Sequence, residues 1–137
     1  MPAGLLMLAG AVVMFALGAV HFVYTFHGAK LRPRDAALQA RMDEVHPGIT
    51  RETTMWRAWV GFNASHAMGA MLFGAVYGYL GLTAPSFLFG SPFLLGVGAA
   101  MLAGYVALGR RYWFSVPFRG IVLAAICYLA GVVLAFR

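Results

Sequence analysis

PAGLLMLAGAVVMFALGAVHFVYTF, residues 2–26, decides the fold. No Asp, Glu, Lys or Arg interrupts it. A helix needs roughly 20 apolar residues to cross the hydrocarbon core of a bilayer. Three further stretches meet that length: about Met55–Leu82, Phe87–Leu108 and Val116–Phe136. All four runs are continuously apolar and do not alternate, so they read as helices and not as barrel strands. The expected fold is therefore all-α: an integral membrane four-helix bundle forming a single transmembrane domain over residues 1–137.

Composition agrees. The chain is 62% hydrophobic and 10% charged, against roughly 45–50% and about 25% in soluble domains. The first run is too long for a signal peptide and lacks a basic leader, so it reads as a retained span. Cys127 lies inside the fourth run and is the only cysteine, which excludes an intrachain disulfide.

The charges set an orientation. Lys30, Arg32, Arg34, Arg41, Arg51 and Arg57 lie between the first two spans, and Arg110, Arg111 and Arg119 between the last two. Thr83–Pro92 carries no charge. Basic connections stay in the cytoplasm, so both termini are expected outside. The net charge of +6 then needs no nucleic acid as partner, because an anionic leaflet suffices. The lipid bilayer is the expected partner, with a larger membrane complex or a homo-oligomer as further options.

The first connection has its own pattern. Residues 35–45 read as a short amphipathic interfacial helix, with Leu38, Met42 and Val45 on one side. Pro33 precedes it, and His46-Pro47-Gly48 ends it. All four carboxylates (Asp35, Asp43, Glu44 and Glu52) fall in this connection, where neighbouring Arg residues are their expected partners. Thr50 is the expected N-cap of the second span, with Glu52 in its first turn. Ser91-Pro92 and Ser115-Val-Pro117 are comparable start signals. Tyr112, Trp113 and Phe114, with Trp56 and Trp59, suit an aromatic belt.

Small residues recur at spacing four and allow close helix approach. The rows are Gly61/Ser65/Gly69, Ala70/Gly74/Gly78, Gly96/Ala100/Gly104 and Cys127/Gly131/Ala135.

Ionisable side chains inside a span are the candidates for function. His21 in the first span and His66 in the second both lie roughly 10–13 Å from the basic span ends at about 1.5 Å per residue. Asn63, Tyr105 and Tyr128 fall in the same cytoplasmic half. Trp59, Asn63 and His66 share one helical face, as do His21, Tyr24, Thr25 and Gly28. His27 points away from His21 and lies near the interface.

Three readings of this layer stay open. The side chains hydrogen-bond across helices and fix the bundle's register. They line a pocket for a quinone, a lipid or another isoprenoid ring, with His21, Asn63, His66, Tyr24, Trp59, Tyr105 and Tyr128 as contacts. Or His21 and His66 are axial ligands of haem b or hold another metal. No Ser-His-Asp set, phosphate loop or Cys-x-x-Cys-His motif is present. The expected function is a non-catalytic accessory subunit or a hydrophobic-ligand-binding module. The alternative is a membrane redox or lipid- or quinone-active protein.

Thr50–Gly69, TRETTMWRAWVGFNASHAMG, and Arg111–Gly120, RYWFSVPFRG, resemble a family of small, uncharacterised four-span bacterial membrane proteins. The architecture is also similar to that of DoxX-like small membrane proteins, in size and span count. The resemblance implies a bacterial inner-membrane location and carries no catalytic residue with it.

Overall fold

A computed structural model of the chain describes residues 2–137. The described residues are 81% helical and contain no strand. The helices are α1 (Pro2–Phe26), α2 (Ala36–Glu44), α3 (Met55–Thr83), α4 (Pro85–Phe89), α5 (Pro92–Tyr112) and α6 (Ser115–Ala135). Three of them, α1, α5 and α6, are long and apolar enough to cross a membrane. The longer α3 has the length, but Asn63, His66 and a series of glycines and tyrosines dilute its apolar character.

Element ends differ from the sequence reading where two start signals compete. α3 does not begin at a Thr50 cap. Thr50 Oγ1 instead accepts from the Glu52 amide in a local turn, and Thr54 Oγ1 accepts from the Arg57 amide at the helix start. Glu52 therefore lies before the helix and not in its first turn. The apolar run from Phe87 is not one helix. Pro85 opens the short α4, and α5 starts at Pro92, where Ser91 Oγ accepts from the Leu94 amide. Asp35 lies just outside α2 as its N-cap, accepting from the amides of Ala37 and Leu38. Asp43 accepts from Gln39, and Glu44 pairs with Arg41 at 3.2 Å. Glu44 thus takes the expected Arg partner, while Asp35 and Asp43 take neutral donors.

The chain divides into two compact units. The first comprises residues 2–17 and 70–137. Here α1 runs antiparallel to α3 and to α6 at backbone-contact distance. A Cβ on Gly74 would lie 2.5 Å from the Ala11 carbonyl oxygen and 2.7 Å from Phe15 Cβ. One on Gly10 would lie 2.8 Å from the Ala124 carbonyl oxygen, and one on Gly131 3.0 Å from that of Ala3. Met7, Ala11 and Met14 fill the core against Phe73, Tyr77, Ala124 and Tyr128. Two tyrosines tie down the start of α5. Tyr77 donates to the Leu94 carbonyl at 2.6 Å and Tyr128 to the Leu95 carbonyl at 2.7 Å. Phe73 stacks on Tyr77 at 4.5 Å between ring centroids.

Outward faces are apolar. Leu5, Leu72, Phe93 and Leu129 are all more than half exposed. Water would penalise such a surface, whereas lipid is its natural solvent. Of the predicted small-residue rows, Ala70/Gly74/Gly78 is buried, while Gly96, Gly104 and Gly61 have no atom near a Cβ position.

The second unit is Gly18–Gly69. It holds the last turns of α1, the connection with α2, and the first turns of α3. The connection is closed at its base: the Met55 amide donates to the Val45 carbonyl at 2.8 Å, and His46 Nδ1 lies 2.7 Å from the Thr53 carbonyl oxygen. α2 buries no residue, and Leu38 and Val45 are exposed.

Candidate functional site

His21, Asn63 and His66 meet within the second unit. His21 Nε2 lies 2.9 Å from Asn63 Oδ1. The amide orientation is fixed independently, because Asn63 Nδ2 donates to the Trp59 carbonyl at 2.8 Å. Oδ1 is an acceptor only, so His21 carries its proton on Nε2 and donates it. The His21 and His66 rings meet edge to face, 5.4 Å between centroids and 81° between planes. Each polar group arises from ordinary helix geometry. Asn63 turns back one helical turn onto Trp59, and Thr25 Oγ1 donates to the His21 carbonyl at 2.8 Å, a common way for a helix to satisfy a buried hydroxyl.

The same unit also carries a group of aromatic rings and cations. The Trp59 indole donates to the Leu31 carbonyl at 3.0 Å and so pins the connection to α3. Lys30 Nζ lies 4.7 Å over the Tyr24 ring, and the Arg32 guanidinium 5.6 Å over Trp56. Between them opens a cleft of about 170 Å³, lined by Tyr24, Thr25, Phe26, Gly28, Leu31, Arg32, Trp56 and Val60. Gly28 makes the turn out of α1 with φ of +81°, a backbone region that other L-residues enter at a cost.

The cleft adds Arg32, Trp56, Leu31 and Val60 to the residues picked out from sequence. No sequence signal marked them, since a Trp and an Arg near a span end read as interfacial anchors. Of the predicted layer, His21, Tyr24, Trp59, Asn63 and His66 fall together in this unit. Tyr105 and Tyr128 belong to the first unit. There Tyr128 donates to Leu95 and packs on Phe73 and Tyr77, and Tyr105 lies against Trp113.

No protein-family model matches this chain, and neither a curated protein nor a solved structure is similar to it.

The geometry bears on haem. An axial pair needs two imidazole nitrogens on opposite sides of the iron, each about 2 Å away. Here His21 Nε2 is engaged by Asn63, and the two rings touch edge to face with no macrocycle-wide gap between them. The arrangement does not fit that group. Nor do the described residues hold a cluster of three or more His, Cys, Asp or Glu able to bind a metal.

Proposed function

We propose that this protein is a four-span membrane protein that binds a lipid-like ligand, an apolar body with a polar head, in the cytoplasmic half of the membrane. The cleft beside Tyr24 and Trp56 carries this reading. Its volume of about 170 Å³ is below the roughly 300–1,000 Å³ of whole small-ligand sites, so it would take the polar head and the start of a chain while the rest of the molecule lies in lipid. Aromatic walls, a hydroxyl and a cation at one mouth suit an amphipathic molecule better than a sugar or a nucleotide. On this reading the protein is a binding module and not a catalyst.

Four features support α3 as the additional span. It measures about 43 Å at 1.5 Å per residue, longer than the roughly 30 Å hydrocarbon core. Its later turns lie antiparallel to α1 at backbone contact. Its polar side chains Asn63 and His66 meet partners on α1, which lowers the cost of placing them in lipid. The basic connections Lys30–Arg57 and Arg110–Arg119 then share the cytoplasmic side and the termini the opposite one. A bacterial inner membrane is the location implied by the family resemblance.

A second reading, an accessory subunit, is favoured by the open row of Gly96, Ala100 and Gly104 on α5, which none of the described residues covers. Purification in mild detergent separates the two. Mass spectrometry of organic extracts should find one lipid or isoprenoid class retained at near-stoichiometric amount, and Trp56→Ala with Tyr24→Ala should release it. A larger protein complex with no retained small molecule would favour the accessory subunit and refute the ligand site.

A further inference from the structure

We propose that the cleft selects an anionic phospholipid of the cytoplasmic leaflet and holds the phosphate of its headgroup with Arg32, aided by Lys30. The proposal rests on the ligand-binding reading above and names the ligand's class.

Three observations converge on it. First, the two cations stand over the two aromatic walls, Arg32 over Trp56 and Lys30 over Tyr24. A guanidinium held over a ring face keeps N–H groups available for a bidentate contact with phosphate. Second, their charge is not spent on the carboxylates of the same connection. Asp35 caps α2, Asp43 accepts from Gln39 and Glu44 pairs with Arg41, and neither these nor Glu52 forms an ion pair with Lys30 or Arg32. Third, the cleft lies where α1 ends and α3 begins, at the basic end of both helices. In the four-span arrangement this is the headgroup level of the leaflet that carries anionic lipids. Phe26, Leu31 and Val60 supply an apolar side to the cleft for the start of an acyl chain.

The backbone supports the arrangement. The turn through Gly28 at positive φ, followed by the Arg32 amide donating to the Ala29 carbonyl at 3.2 Å, turns Lys30 and Arg32 back toward the helix ends.

The test is native mass spectrometry of the full chain in neutral detergent, titrated with phosphatidylglycerol or with phosphatidylcholine of the same acyl chains. Phosphatidylglycerol should bind roughly tenfold tighter or more, the scale of a charge-assisted contact. Arg32→Gln should reduce it to the phosphatidylcholine level, and Arg32→Lys should fall between. Arg119→Gln, which removes another exposed charge elsewhere, should change nothing. Equal binding of the two lipids, indifferent to Arg32→Gln, would overturn the headgroup assignment and leave the lipid-like ligand reading standing. Absence of binding by either lipid would overturn both. Inorganic phosphate binding in the absence of lipid, with the same Arg32 dependence and affinity, would overturn the lipid and assign a soluble phosphate compound.

Discussion

Gly74→Ala tests one of the close backbone contacts between α1 and α3. The new methyl would lie 2.5 Å from the Ala11 carbonyl oxygen, 2.7 Å from Phe15 Cβ and 2.8 Å from the Phe15 amide nitrogen. All three belong to the main chain or to a Cβ, so no flexible side chain can swing aside. α1 and α3 must separate locally by about an ångström to restore normal contact, and a gap of that size forfeits roughly a quarter to a half of each neighbouring dispersion well. Over one turn of interface the loss comes to about 1–3 kcal/mol, the usual range for overpacking. Gly104→Ala is the matched control, since nothing stands near that Cβ position. The assay is reversible unfolding in mixed micelles by added dodecyl sulfate, followed by circular dichroism and tryptophan emission. The chain denatured in this way keeps much of its helix. The helix-propensity gain of Ala over Gly, about 1 kcal/mol at most, therefore largely cancels, and packing is what the assay reads. Gly104→Ala should stay within about 0.5 kcal/mol of the parent. A Gly74→Ala protein as stable as the parent would refute the close approach of α1 to α3.

Tyr128→Phe should cost about 0.5–1.5 kcal/mol in the same assay by removing the hydroxyl that donates to Leu95. Asn63→Leu should cost about 0.5–2 kcal/mol, and nitrogen NMR of labelled imidazoles should show the His21 Nε2 resonance losing its hydrogen-bond shift. Gly28→Ala should cost about 1–2 kcal/mol from backbone conformation alone, because no atom crowds the added methyl; Gly28→Asn should recover part of it. Asp35→Ala should weaken α2 by about 1 kcal/mol, read as faster amide exchange at Ala37 and Leu38.

Apolar run length made α1 legible to the residue, since Pro2 and Phe26 bound an uninterrupted stretch. Counting residues from basic span ends put His21, Asn63 and His66 at one level, and the three side chains meet. The same count misled for Tyr128, which lies a turn beyond Ala124, where α6 meets α1 at Gly10, and whose hydroxyl is committed to α5. Helix starts were ambiguous where hydroxyl residues cluster. Thr50, Thr53 and Thr54 are chemically similar caps, and the closure of the connection by His46 and Val45 selects Thr54. The break at Gly90 between α4 and α5 was hidden because apolar composition continues across it. Arg32 and Trp56 were read only as anchors, because their pairing depends on a turn that Gly28 permits and no local pattern announces.

The mixed character of α3 has a consequence for how the chain is made. In the four-span arrangement, α1 reaches the insertion machinery as an unmistakable membrane segment, while α3, with Asn63 and His66, arrives as a marginal one. Its polar groups are matched by residues on α1, so the two are best delivered as a helical hairpin, the earlier helix waiting beside the channel for the later one. A reporter fused after α3 should be exported efficiently only when α1 is present in the same polypeptide. Replacing His21 by Leu should lower that yield although α1 itself becomes more apolar.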